Sequence, residues 1–313
     1  MSKTYIVTGS AGFIGSNLIN TLLLNGDKMI CLDKLSYASN CDYKRHLNNK
    51  NFIFRVIDIS SKSFVKKIET EFLGKINIDG IFHLSANSHV DNSISNPEPF
   101  IYDNIVGTFN ILELTKLFNI KLVMVSTDEV IGSIETGDGD ENYLLKPNSV
   151  YSASKASSEL LCRAYFITHK LNVCTTRCGN NFGLLQHGEK LIPKIIKNAQ
   201  NDIKIPIYGD GKNIRQWTFV QNHIDDLILV MDNGKAGKIY HVGGGEHFTN
   251  NQIVEKILTK LNKPKSLIQP VKDRLGHDFR YSIKISDDIL KWRKNKPYIG
   301  FNEGLDILLK ENK

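Results

Sequence analysis

Tyr151 and Lys155 stand four positions apart in Tyr151-Ser152-Ala153-Ser154-Lys155, so on a helix a phenol and an ammonium share one face. The positive charge would depress the phenol's pKa toward that of a useful general base. Asp128 and Glu129 form a second grouping, directly after Ser126-Thr127. Water elimination needs such a pair: one protonated carboxyl to donate to a leaving hydroxyl, and one carboxylate to take a proton from the neighbouring carbon. On the residues alone, a turn-capping Asp128 and a solvated Glu129 account for the pair as well. The third grouping is Thr8-Gly9-Ser10-Ala11-Gly12-Phe13-Ile14-Gly15. Gly9 permits a tight turn, Gly12 lets backbone approach a pyrophosphate, and Gly15 lets helix and strand pack closely, with helix N-terminal amides facing the phosphates. Asp33 follows about twenty residues on, where a carboxylate bonds both ribose hydroxyls and repels a 2′-phosphate. NAD is therefore expected over NADP, and adjacent Lys34 is the residue that argues the other way. Asp58, with Ile59, offers an adenine contact or a cap.

Positioning these groups requires strands that end at a common edge. Strand-like Thr4 to Thr8, helical Ile14 to Leu24 and strand-like Met29 to Asp33 read as a βαβ unit with parallel pairing and a right-handed crossover. The alternation continues through Phe52 to Val56, helical Phe64 to Phe72, Ile81 to Leu84 and a long helical pattern after Pro97. Lys121 to Ser126, helical Ala153 to His169 and Val173 to Arg177 follow. Near-continuous apolar strands suit a sheet covered on both faces, and the expected fold is a doubly wound, Rossmann-type α/β sheet with a smaller, interleaved C-terminal lobe. Beyond Arg177 the spacing predicts helices over Leu191 to Gln200 and Gln252 to Leu261, a strand at Ile205 to Tyr208, and a return to the sheet through Ile224 to Met231 and Ile239 to Val242.

The chain has 313 residues, 41% hydrophobic and 23% charged, which excludes a disordered or collagen-like polymer. No apolar run approaches the roughly 18 residues needed to span a bilayer, and strand-like sequence from Thr4 onward leaves no room for a signal peptide. The expectation is a cytoplasmic protein with five reduced, buried cysteines and no metal site. A formal charge of +7 admits nucleic acid, an acidic membrane or a phosphorylated small substrate. The scattered lysines and the absence of a recognised motif speak against nucleic acid.

Together, the glycine turn, the Tyr/Lys pair and the Ser126-Thr127 strand end resemble the extended short-chain dehydrogenase/reductase superfamily. The likeness narrows to the nucleotide-sugar 4,6-dehydratases through Ser126-Thr127-Asp128-Glu129-Val130, Ser88-His89-Val90-Asp91 and Asp33-Lys34-Leu35-Ser36-Tyr37, and continues into the second half through Asn213-Ile214-Arg215 and Asp273-Arg274-Leu275-Gly276-His277. The resemblance implies NAD held by Gly9, Gly12, Phe13, Ile14, Gly15, Asp33, Lys34, Asp58, Ile59, Leu84 and Ala86, with Tyr151 and Lys155 at the nicotinamide end. By the same resemblance Tyr151, assisted by Thr127, deprotonates the C4 hydroxyl of a dTDP- or UDP-glucose as hydride leaves C4. Glu129 then takes the C5 proton, Asp128 protonates the departing C6 hydroxyl, and hydride returns to C6. Ser88, Asn180, Lys190, Leu191, Asn250 and His277 are implied around the sugar diphosphate, Arg215 and Arg274 on its phosphates, and Pro206 and Tyr208 about the base. It also implies a homodimer and a place in deoxysugar biosynthesis, such as that of rhamnose.

The NAD-binding domain is expected over residues 1–178 and 217–245, and the sugar-nucleotide lobe over 179–216 and 246–313. Asn87, Ile131, Gly179 and Gln216 depart from the family pattern, and the segment Gly132 to Lys146 is short. A 4-epimerase or decarboxylase of the same superfamily would keep the glycines and Tyr/Lys but needs no Asp128-Glu129 pair. A non-catalytic NAD-binding sensor would predict a degraded Tyr/Lys pair.

Overall fold

A computed structural model describes residues 2–294 and 296–311. Seven strands, β1 (Thr4–Thr8), β2 (Lys28–Asp33), β3 (Phe52–Val56), β4 (Gly80–His83), β5 (Lys121–Val125), β6 (Val173–Cys178) and β10 (Ile239–Val242), form one parallel sheet in the order β10-β6-β5-β4-β1-β2-β3. Alternate side chains enter two cores. Tyr5, Val7, Val123 and Val125 face helices Phe13–Leu24 and Val220–Asn233 on one side, while Ile6, Leu122 and Met124 face helices Phe64–Phe72 and Gly107–Phe118 on the other. Both faces are apolar because both are covered. The chain leaves β1 toward β2 and β3, then crosses to β4 on the other flank, so the order reverses between β1 and β4. Ligands of doubly wound folds bind at this kind of reversal, beyond the carboxyl ends of the strands.

The sequence-predicted elements through Arg177 are present with ends shifted by at most a few residues. Ile224 to Met231 is a correction: it belongs to the helix Val220–Asn233 and not to the sheet. Buried Ile224, Leu227, Val230 and Met231 recur at helical spacing, which a short apolar window does not separate from a strand. The cysteine expectation is corrected at Cys41, which is exposed, whereas Cys31, Cys162, Cys174 and Cys178 are buried.

Five further strands lie outside this sheet: β7 (Asn180–Phe182), β9 (Ile214–Phe219) and β11 (Glu246–Thr249) in one sheet, and β8 (Ile205–Tyr208) with β12 (Ile268–Val271) in another. Helices Leu191–Gln200, Asn250–Lys260 and Phe301–Glu311 cover them around Ile195, Trp217, Ile257 and Leu305. The helix Asp287–Arg293 returns to the large sheet, where Ile289 and Trp292 pack beside Tyr240.

β6 is tied to the helix Val150–His169 by a buried ion pair, Arg177 Nη2 to Glu159 Oε2 at 2.7 Å and Nε to Oε1 at 3.0 Å. Arg177→Met should cost ~3–5 kcal/mol by stranding the Glu159 carboxylate. Adding Glu159→Leu should recover much of that loss in denaturant midpoints, and a double variant as unstable as the single would refute the account.

Candidate active site

The glycine turn closes β1 onto β4. Gly9 has φ +66°, and a Cβ there would lie 2.7 Å from the backbone nitrogen of Ser85. A Cβ on Gly15 would overlap the Gly9 carbonyl oxygen, so Gly15→Ala should lose both stability and dinucleotide affinity, measurable as a lower Tm and as cofactor-free protein after purification. Gly12 caps the helix Phe13–Leu24 without a side chain. Its first-turn amides therefore stand at the mouth of a cleft, as a pyrophosphate requires. Asp33, at the end of β2, accepts from the amides of Ala11 (2.9 Å) and Leu35 (2.8 Å) and from the Ser39 hydroxyl (3.2 Å). Asp58 forms a local turn with the Ser60 amide (2.8 Å) and hydroxyl (2.7 Å), the helix Phe64–Phe72 starting from Ser63, and Asp58 also lines the cleft. Gly9, Gly12, Phe13, Ile14, Gly15, Asp33, Lys34, Asp58, Ile59, Leu84 and Ala86 all line one cavity with Thr127, Asp128, Glu129, Tyr151 and Lys155. The cradle fits a dinucleotide.

At the far end, Thr127 caps the short 3-10 turn Asp128–Ile131: its Oγ1 accepts from the Glu129 amide (3.3 Å) and donates to Asp128 Oδ1 (3.2 Å). Asp128 is 1% exposed, and its Oδ2 has no hydrogen-bond partner among the described residues. Burial, and then the charge of Glu129, push the Asp128 carboxyl up to about 7. Burial also raises Glu129, but the cations Arg215, Arg274 and Lys190 oppose it. Burial thus pushes both adjacent carboxyls toward their protonated forms, Glu129 against three opposing cations and Asp128 with Glu129's charge adding to the push.

Tyr151 lies in the first turn of the helix Val150–His169, whose start is fixed by a Ser149–Ser152 capping box. Burial and then the charge of Glu129 raise its phenol. The expected depression by Lys155 is corrected here: the ammonium donates to the Val125 carbonyl at 2.7 Å, and burial lowers it to about 8. The spacing places both groups on one face, but the ammonium is engaged by a strand-end carbonyl.

The family model described as GDP-mannose 4,6 dehydratase matches residues 6–295. The chain belongs to this family of nucleotide-sugar 4,6-dehydratases. The dehydratase is 38% identical over 310 residues to a dTDP-glucose 4,6-dehydratase of Actinoplanes sp., covering 96% of this chain and 94% of that one. It is 39% identical over 305 residues to the low-salt glycan biosynthesis protein Agl12 of Haloferax volcanii, covering 96% of both. Among solved structures, DesIV, the dTDP-glucose 4,6-dehydratase of Streptomyces venezuelae with NAD bound, superposes with a TM-score of 0.91 at 38% identity, over 98% of this chain and 96% of that one. As a member of this family the dehydratase is an NAD-dependent hydro-lyase, and the epimerase and sensor readings are not favoured.

Of the second-lobe residues, Asn180 and Lys190 line the dehydratase's cavity together with Ser88, and Lys190 Nζ donates to the Ser88 carbonyl at 2.8 Å. Leu191, Pro206, Tyr208, Arg215, Asn250, Arg274 and His277 lie outside its walls. Tyr208 Oη (3.0 Å) and Arg274 Nη1 (3.3 Å) both meet the Asp91 carboxylate across the lobes, and the His277 ring stands edge-on to Tyr208 at 6.3 Å. Arg215 is buried, with its guanidinium on the carbonyls of Ile214 (2.8 Å) and Asp278 (2.9 Å) and over the Tyr281 ring at 4.4 Å. Asn250 opens the helix Asn250–Lys260, its amide on the Asn213 carbonyl. Leu191 begins the helix Leu191–Gln200 and packs on the second core, and Pro206 is half-buried within β8.

The departures from the family pattern have local reasons. A Cβ on Gly179 would stand 2.8 Å from the Gln216 carbonyl and 3.4 Å from Asp128 Oδ2, so glycine keeps the space beside the orphaned carboxyl oxygen open. Gln216 is buried and reaches the Ile283 carbonyl at 3.4 Å, and Ile131 packs with Ile134 and Ile283. The cavity wall also contains Asp103, which the sequence reading missed. It sits in a π-helical stretch, Ile101–Val106, inside the helical run after Pro97. Helical periodicity gives no warning of such an inserted residue, although π-bulges gather at functional sites.

Proposed function

We propose that this enzyme converts dTDP-glucose to the 4-keto-6-deoxy sugar nucleotide and water. The observation that carries the reading is the asymmetry of Asp128 and Glu129, one orphaned and proton-holding, the other faced by three cations. Bound NAD supplies an electron-pair acceptor for C4 and a donor for C6, with no net redox change. Tyr151, assisted by Thr127, receives the C4 hydroxyl proton, and Lys155 holds the nicotinamide ribose from its place on the Val125 carbonyl. The new ketone acidifies C5, Glu129 takes the C5 proton, and Asp128 delivers its proton to the C6 hydroxyl as it leaves as water; when hydride returns to C6, a proton that has exchanged with solvent passes from Glu129 back to C5. Arg215, Arg274, Lys190 and Asn180 support the diphosphate end, and Pro206 and Tyr208 the base. For Arg274 and Tyr208 this means exchanging Asp91 for ligand.

The relatives' names support the thymidine nucleotide over the uridine one. Purified enzyme given dTDP-glucose beside UDP-glucose, without added NAD in deuterated water, should form 4-keto-6-deoxy product with deuterium at C5 and prefer dTDP-glucose. Recovery of unchanged glucose or a C4 epimer would refute dehydration, and preference for UDP-glucose would refute the nucleotide. Exposed Phe109, Leu117, Leu160 and Ile167 on helices Gly107–Phe118 and Val150–His169 support a homodimer through these helices, and a monomeric mass by light scattering would contradict it. The two-lobe division, a cytoplasmic location and a role in making a deoxysugar such as rhamnose complete the reading.

A further inference from the structure

Lys34 follows Asp33 on the wall where the dinucleotide's adenosine ribose is expected, and a free ammonium there would attract a 2′-phosphate. It is not free: Lys34 Nζ lies 2.5 Å from Asp103 Oδ2. Asp33 does not provide this neutralisation, because its carboxylate is engaged by Ala11, Leu35 and Ser39. Asp103 is itself held in place. The Asn87 side-chain amide donates to the same Oδ2 at 2.5 Å. Asn87 is fixed in turn by Asn104, which accepts from its backbone amide (2.8 Å) and donates to its carbonyl (3.0 Å). The π-helical stretch turns both Asp103 and Asn104 inward while Tyr102 stays exposed.

We propose that Asp103 sets the dinucleotide preference by sequestering Lys34, so that the wall repels a 2′-phosphate at Asp33 and offers it no cation. It is a positioning residue, acting through Lys34, and works by removing an attraction for the wrong ligand. The inference rests on the NAD reading above.

Affinities of cofactor-stripped protein for NAD and NADP, measured by titration calorimetry, test it without reference to turnover. Asp103→Asn keeps the size of the side chain but releases the ammonium, and should shift the NADP-to-NAD affinity ratio toward NADP by about tenfold or more. The gain should shrink at high ionic strength and vanish when Lys34→Ala is added. Asp103→Ser should give the same shift if the Asn variant folds poorly. An unchanged ratio in the released variants, or a gain that survives removal of Lys34, overturns the inference. Wild-type protein that binds neither dinucleotide would overturn the cofactor reading and this inference with it.

Discussion

Asp128→Asn is expected to lower turnover by about 10²–10⁴-fold, the usual range for losing a positioned general acid, while stabilising the folded protein above neutral pH. Both effects come from one cause. Burial and the Glu129 charge hold the Asp128 carboxyl near 7, against an ordinary 3.8. Between those values the folded state binds the proton and the unfolded state does not, so rising pH costs stability across that window and the cost levels off above about 7. At about 1.4 kcal/mol per unit, the cost is at most ~4 kcal/mol. Asparagine carries no titrating proton, so the variant should gain on the wild type progressively from pH 4 to pH 7 in denaturant unfolding. It should also abolish the alkaline limb of the wild-type rate profile, where Asp128 has lost the proton it donates. A variant that is both active and no more stable at pH 8 would remove Asp128 as the acid.

Glu129→Gln should stop the reaction at its middle. With no carboxylate to take the C5 proton, turnover should fall by about 10²–10⁴-fold, while Tyr151 still accepts the C4 hydroxyl proton. The near-ultraviolet absorbance of reduced nicotinamide should then rise on mixing with substrate and persist, and no solvent deuterium should enter at C5. The charge of Glu129 also raises both Asp128 and Tyr151. Its removal should therefore move formation of the reduced signal to lower pH, because the phenol surrenders its own proton more readily. Wild-type turnover in Glu129→Gln would exclude it as the base.

The site was legible in the sequence where its parts are local. The glycine turn, Asp33, the Asp128-Glu129 pair and the Tyr151/Lys155 spacing each lie within one strand end or one helical turn, and parallel strands deliver their carboxyl ends to one edge. What was not legible depends on encounters between distant segments. Ile224 to Met231 offered an apolar window common to strands and helices, and only packing against the sheet selected the helix. Asp103 was hidden by a π insertion that breaks the periodicity from which burial is inferred.

By itself the sequence determined the doubly wound sheet, the cradle at its reversal point and the residue types present at the reacting end, because hydrophobic period and turn chemistry are properties of neighbouring residues. Only the tertiary structure decided what those residues can do. Lys155 turns to the Val125 carbonyl, Asp103 closes on Lys34, and Arg274 with Tyr208 meets Asp91 across the lobes. Asp128 and Glu129 are adjacent in the chain and chemically alike, yet burial and Glu129's charge act together on Asp128, while the cations from residues 190, 215 and 274 oppose burial at Glu129. Desolvation and charge act through space, and the distances that set them exist only once the chain is folded.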